Sequence, residues 1–178
     1  ENNIIWAKRL EKAGCHVIYG LVGLKTHCKL LLVVRREDEG IKRYVHMGTG
    51  NYNDVTAKFY TDTSLMTCNP YVGGDASAVF NMISGFSQIS RLDKMELAPV
   101  GLRTRFEKLI KGEINQVKEG NEGKIIVKMN SLVDERLISS LYEASVAGVE
   151  IRLIIRGICC LIPGVQGQSE NIEVRSIV

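Results

Sequence analysis

Apolar positions along the chain recur at two spacings, one helical and one alternating, and the switches between them divide it into elements. Residues 2 to 13 carry Ile4, Ile5, Trp6, Leu10 and Ala13 among charged neighbours, which predicts an amphipathic helix stopping at Gly14. A short strand is expected over 15–19. The apolar run within 27–35 predicts a long strand and 41–47 another, with the polar Glu37-Asp38-Glu39-Gly40 between them as a hairpin turn. Ala78, Val79, Met82, Ile83 and Phe86 place a helix over 75–89. A second helix is expected over 101–119, burying Leu102, Phe106, Leu109, Ile110, Ile114 and Val117, with Arg103, Arg105, Lys108 and Lys111 on a solvated face. Then come a strand over 124–129, a helix over 134–147 and a strand over 149–155 that delivers Arg156 to its carboxyl end. Residues 157–169 are loop-rich, and a last strand runs from about Asn171.

Helices alternating with strands predict an α/β fold. The stretch Arg91 to Pro99 reads as a linker, which divides the chain into domains over 1–94 and 95–178. One internal correspondence links the halves. Ala13-Gly14 and Ala147-Gly148 both lead from a predicted helix into a predicted strand, as two related units would.

With 178 residues, 45% of them apolar, the chain can bury a core. No run of about 18 apolar residues exists to span a membrane, and the charged start Glu1-Asn2-Asn3 is no signal peptide, so a cytoplasmic protein is expected. The five cysteines lack Cys-x-x-Cys spacing, which disfavours a zinc site or a disulfide framework and predicts reduced, mostly buried thiols. A net charge of +3, with no basic run interleaved with aromatics, speaks against nucleic acid as a partner. The chain lacks an initiating Met and stops in what reads as mid-strand, as a piece of something longer would.

The chemistry concentrates in Lys25-Thr26-His27-Cys28-Lys29-Leu30. A histidine and a lysine two apart at the head of a strand point to one side of it. Neutral imidazole is a competent nucleophile near neutral pH, and an adjacent ammonium neutralises the oxygens of a phosphate under attack. The same pair also fits an ordinary solvated strand start. Downstream, Gly48-Thr49-Gly50-Asn51-Tyr52-Asn53 offers glycines for close backbone approach to a ligand and Thr and Asn side chains for hydrogen bonds; it equally fits a strand-exit turn. Tyr60 falls where it could reach the same site.

These motifs, with Tyr60-Thr61-Asp62, Lys128-Met129-Asn130-Ser131-Leu132-Val133-Asp134, Ile155-Arg156-Gly157-Ile158-Cys159, and Pro163-Gly164 with Ser169-Glu170-Asn171-Ile172, occur in an order and at separations that resemble type 1 polyphosphate kinase. The resemblance covers essentially the whole chain. It implies two α/β domains similar to those of the phospholipase D superfamily, each a mixed sheet flanked by helices and both incomplete here. It also implies an ATP:polyphosphate phosphotransferase that moves the terminal phosphate of ATP reversibly onto inorganic polyphosphate through a phosphohistidine, with Mg2+ as cofactor. His27 matches the phosphorylated histidine, with Lys29 beside it as a phosphate clamp. Tyr60 and Arg156 match nucleotide-contacting positions, and Asn51 joins them as a nucleotide- or phosphate-binding residue. Metal ligands stay unassigned. The family reading brings ATP/ADP and polyphosphate as partners and homo-oligomerisation of the complete protein, and it leaves peripheral membrane association open.

Two departures stand beside the matches. Val34 occupies the position of the Asp in the His-x-Lys pattern of the phospholipase D superfamily, and the glycine turn sits several residues late. A second active-site histidine is expected beyond Val178, since neither His16 nor His46 has a matching context, so the chain alone is expected to be inactive. Two other classes compete: a non-enzymatic module binding polyphosphate or a partner through summed charge, and a phospholipase D-type phosphodiesterase, against which Val34 counts.

Overall fold

The structure, a computed structural model, describes residues 2–85 and 91–177. The chain divides into two compact units, Glu1–Met95 and Glu96–Val178.

The first unit opens with helix α1, Asn2–Lys12, which ends as Gly14 turns the chain at φ +86°. Of its apolar face only Ala7 is buried, while Ile4, Ile5, Trp6 and Leu10 stay exposed. The strand expected over 15–19 does not form. A lone strand needs a partner, and here Tyr19 instead turns back to α1, its hydroxyl donating to Glu11 Oε1 at 3.0 Å.

Strands β1, Lys29–Glu37, and β2, Gly40–Gly48, form the expected hairpin, pairing from Lys29↔Gly48 to Glu37↔Gly40. Strand β3, Ser64–Thr67, adds to the far edge of β2, giving the antiparallel order β1-β2-β3. It carries too short and irregular a pattern to be foreseen. Helix α2, Pro70–Ile83, begins five residues ahead of the expected start, because Asn69 caps it by accepting from the amides of Tyr71 and Val72 and Pro70 is preset for a first turn. The Phe86 end of the expected helix lies outside the described residues. Gly73, Ala76 and Val79 form the buried stripe of α2. At Gly73 a Cβ would come within 2.8 Å of Arg43 Cβ, so glycine lets the helix close onto β2, where Arg43 Nε donates to Ser77 Oγ at 3.0 Å.

Asp75 anchors this unit from within. Only 4% exposed, its carboxylate accepts from the backbone amides of Asp93 (2.9 Å), Lys94 (2.7 Å) and Met95 (2.8 Å). Burial alone would push the carboxyl up, but the three amide donors together outweigh it and bring it below its ordinary value. The stretch read as a linker is therefore tied to α2 as far as Met95.

The second unit follows its sequence pattern closely. Helix α3, Leu102–Lys118, and helix α4, Glu135–Val146, flank a parallel sheet of β4, Lys124–Met129, β5, Glu150–Ile155, and β6, Ile172–Ser176, in the order β4-β5-β6. Asp134 caps α4 by accepting from the Leu137 amide at 3.1 Å and pairs with Arg103 at 2.9 Å. Alternate residues of the strands, among them Val127, Ile151, Leu153, Ile155 and Ile172, meet Ile110 of α3 and Ile138, Leu141 and Ala144 of α4 in one core. On α3 the buried face is narrower than the six positions expected. Ile110, Ile114 and Val117 reach the core, while Phe106 and Leu109 are exposed. The half-buried Glu107 and Glu113 take the flanks of that seam, Glu107 paired with Arg136 and Glu113 accepting from the Lys124 amide at 2.9 Å.

The loop after β5 is fastened by hydrogen bonds to the buried Ser169 and Ser145. Ser169 Oγ donates to the Ile162 carbonyl at 2.7 Å and accepts from the Val165 amide at 3.0 Å, and Asn171 Nδ2 donates to the Ser145 carbonyl at 2.8 Å. The Pro163-Gly164 and Ser169–Ile172 motifs thus have a structural role in this unit.

The fold is α/β, two small sheets flanked by helices. The suggested internal correspondence does not extend, however: Gly14 and Gly148 both have positive φ, but only Gly148 leads into a strand, and one sheet is antiparallel where the other is parallel. The thiols also differ from expectation, being free as foreseen but exposed at Cys15, Cys28, Cys68 and Cys160, with Cys159 half-buried.

Candidate active site

In the first unit the site is built around the start of β1. The strand begins at Lys29, so His27 lies two residues ahead of it and strand alternation is not what unites the pair. The Lys29 side chain turns back instead. Its Nζ donates to the His27 carbonyl at 2.8 Å and sits 3.1 Å from Nδ1 and 3.0 Å from Nε2 of the same ring. A point almost equidistant from both ring nitrogens cannot lie in the ring plane without striking ring carbons, so the ammonium sits over the imidazole face. Lys29 thereby occupies neither in-plane nitrogen direction, and its positive charge stands beside them.

The segment joining β2 to β3 carries Asn51 and Tyr60, both exposed. Its neck is closed by Thr49, whose amide donates to the Thr63 carbonyl at 3.0 Å, whose Oγ1 accepts from the Thr63 amide at 3.1 Å and whose hydroxyl donates to Asp62 Oδ1 at 2.9 Å. Inside the loop, Asn53 Oδ1 accepts from the amides of Val55 (3.1 Å) and Thr56 (2.9 Å), starting the short 3-10 turn Thr56–Lys58. The glycines serve this arrangement. A Cβ on Gly50 would come within 2.4 Å of Asp62 Oδ2, and one on Gly48 within 3.3 Å of Ser64 Cβ. Thr49 and the glycines hold the loop's own neck, as a strand-exit turn does. Nothing in the spacing of Thr49 and Asp62 announced that pairing. Beside the loop, His46 Nδ1 lies 2.7 Å from Tyr52 OH, ordering the Tyr52 ring against β2.

In the second unit Arg156 stands at the carboxyl end of β5, directly after the buried Ile155. Its amide donates to the Met129 carbonyl at 3.2 Å, and the Gly157 amide to the Asn130 carbonyl at 2.7 Å. Gly157 is closely fitted there, since a Cβ would stand 3.0 Å from that carbonyl and 3.1 Å from Ser131 Oγ and would need those neighbours to give by a few tenths of an ångström. The carboxyl ends of parallel strands are where open α/β sheets present ligand-binding groups. His27, Lys29, Asn51 and Tyr60 thus belong to the first unit, and Arg156 to the second.

Two family models cover the chain in succession. The polyphosphate kinase C-terminal domain 1 matches residues 1–89, and the polyphosphate kinase C-terminal domain 2 matches residues 95–178. The chain belongs to the polyphosphate kinase family. A polyphosphate kinase of Lactiplantibacillus plantarum is 60% identical over 178 residues, which are all of this chain and 25% of that protein. A polyphosphate kinase of Synechocystis is 54% identical over the same length, covering 24% of its own. Among solved structures, the crystal structure of polyphosphate kinase from Porphyromonas gingivalis superposes with a TM-score of 0.86 at 37% identity, over 99% of this chain and 29% of that one. The chain therefore spans about a quarter of the length of these polyphosphate kinases, in the C-terminal part of the family. Its two sheets flanked by helices are shared with a family member of known structure.

Among the described residues no group of three or more His, Cys, Asp or Glu side chains could hold a metal ion. No described helix is long and apolar enough to cross a membrane.

Proposed function

We propose that this chain is the C-terminal part of an ATP:polyphosphate phosphotransferase in which His27 carries the phosphoryl group between ATP and polyphosphate. Membership of the polyphosphate kinase family supports the reaction. The observation that carries the assignment is the Lys29 ammonium over the His27 ring, 3.0 and 3.1 Å from its nitrogens, a position that does not take up the lone-pair direction.

In the first half-reaction an unprotonated ring nitrogen of His27 attacks the terminal phosphorus of ATP. The N–P bond forms, the P–O bond to the β-phosphate breaks, and its electron pair leaves on ADP. In the second, a terminal oxygen of polyphosphate attacks the same phosphorus and the N–P electron pair returns to the ring. Both halves run backwards with the same atoms. Such transfer depends on positioning and charge neutralisation, which Lys29 supplies as a point charge and Arg156 as a planar fork able to hold two oxygens at once. Asn51 and Tyr60 address the nucleotide, Tyr60 by stacking on the base or through its hydroxyl. Mg2+ is the cofactor of this reading and would supply charge neutralisation to the nucleotide phosphates; its ligands are unassigned and no step is assigned to it.

The catalytic elements are assigned to two domains, 1–94 bearing His27 and 95–178 bearing Arg156, similar to those of the phospholipase D superfamily. With Val34 where that superfamily has its Asp, transfer to phosphate is favoured over diester hydrolysis. The same reading carries a cytoplasmic, homo-oligomeric complete enzyme with no nucleic-acid partner, and the 178 residues alone do not turn over.

Incubating the complete enzyme with γ-labelled ATP and magnesium, then mapping the label, tests this. An acid-labile, alkali-stable phosphate on the peptide bearing His27, abolished by His27→Ala, is expected. Full labelling in His27→Ala overturns the assignment, and an enzyme that never labels points to a binding module.

A further inference from the structure

Tyr60 has been assigned to the nucleotide, yet it stands on an exposed segment of the β2–β3 connection, which runs from Thr49 to Thr63 outside either strand. Within the segment the Tyr60 amide donates to the Thr56 carbonyl at 3.3 Å, and the segment's two ends are joined at a neck. Two backbone positions, Thr49 and Thr63, close it in the manner of one further strand pair, and the Thr49 side chain adds a bond in each direction: its hydroxyl donates to Asp62 Oδ1 at 2.9 Å and accepts from the Thr63 amide at 3.1 Å. A threonine hydroxyl has one hydrogen to give, and it is given to Asp62. The other carboxylate oxygen lies against Gly50, where a Cβ would come to 2.4 Å from Oδ2, so the Asp62 side chain is held between a donor and a backbone that only glycine leaves room for.

We infer that Thr49, Gly50 and Asp62 form a latch that positions Tyr60, two residues before Asp62, for the nucleotide. These three are positioning residues: they act through the placement of Tyr60 and touch neither the phosphoryl group nor His27. The inference rests on the nucleotide-binding part given to Tyr60 above. Opening the latch removes no bond of the His27–Lys29 pair, which is held by the Lys29 ammonium donating to the His27 carbonyl. The loss therefore falls on nucleotide affinity and not on the chemical step.

The test uses the complete enzyme, with the initial rate measured against ATP concentration for the parent, Thr49→Val, Thr49→Ser, Gly50→Ala, Asp62→Ala and the Gly50→Ala/Asp62→Ala double variant. Thr49→Val keeps the shape and removes the hydroxyl. It is expected to raise the KM for ATP about tenfold while kcat stays within about twofold, because misplacing a binding group by a fraction of an ångström has effects of this size. Thr49→Ser keeps the hydroxyl and is expected to restore the parent KM. Gly50→Ala is expected to raise KM likewise, but to add nothing in the Asp62→Ala background, since both changes open one contact. Melting temperatures establish that each variant is folded, and Thr49→Val and Asp62→Ala introduce no added bulk should Gly50→Ala fail to fold. A parent KM in Thr49→Val, an equal rise in Thr49→Ser, a fall confined to kcat, or additive effects of Gly50→Ala and Asp62→Ala overturns the latch. Label mapping at saturating ATP keeps the two readings apart. If the parent labels on the His27 peptide while KM is insensitive to Thr49, the latch alone fails; if the parent labels elsewhere, the assignment of His27 fails first.

Discussion

At the scale of single residues, the placement of one ammonium nitrogen decides what His27 can do. Held by the His27 carbonyl and lying over the ring, Lys29 contributes charge without occupying the nucleophile's lone pair. Lys29→Met retains the length of the side chain and removes its charge. In the complete enzyme it is expected to slow single-turnover labelling of His27 about a hundredfold, the usual cost of losing one stabilising donor, while the label still maps to the same peptide. Labelling at the parent rate would mean that Lys29 only braces the backbone. The pair was legible in the sequence as a spacing, one that fits phosphate chemistry and a solvated strand start alike. Its geometry was not, because alternation along a strand says nothing about a residue that precedes the strand. Thr49 and Asp62 were invisible for a related reason, being brought together across a loop neck by hydrogen bonds that leave no periodic trace.

At the scale of elements, the second unit could be read almost element by element, the width of the buried face of α3 apart. Strands β4 and β5 alternate or run apolar between polar turns, α4 has an Asp cap and a glycine exit, and each of these signals is local. The first unit was harder. Strand β3 exists because β2 offers it an edge, and 15–19 fails as a strand because nothing described pairs with it. Helix α2 shows how an element also governs chain beyond its own end, through Asp75. Its carboxyl titrates below its ordinary value in the folded chain, so Asp75 contributes stability at pH values above about 3.8 that is lost as the pH falls through the lowered value. Asp75→Ala is expected to destabilise the first unit by on the order of 3 kcal/mol at pH 7, the cost of leaving buried amide donors without a charged acceptor. Denaturant unfolding of parent and variant checks this, the difference between them shrinking as the buffer is taken well below pH 3.8. A difference independent of pH would show that the carboxylate charge is not what holds 93–95.

At the scale of the whole chain, burial is unevenly shared. Among the described residues, the buried apolar side chains of the first unit are Ala7, Val45, Ala76 and Val79, against a cluster in the second that contains Ile151, Leu153, Ile155 and eight more. Small buried area gives small stability, so the first unit of the 178-residue chain is expected to unfold at lower denaturant than the second. Trp6 is the chain's one tryptophan, exposed on α1 with the Arg9 guanidinium 5.1 Å from its ring, and its fluorescence reports the first unit alone. Its transition is expected to precede that of far-ultraviolet circular dichroism, which sees both units; coincident transitions would show one cooperative unit. The Asp75 anchor bears on how such a chain can be taken apart. The first family domain matches only as far as residue 89, short of the three amides that the carboxylate holds. A polypeptide severed at that homology limit leaves behind a carboxylate stripped of its donors, whereas one severed after Met95 takes the complete joint with it.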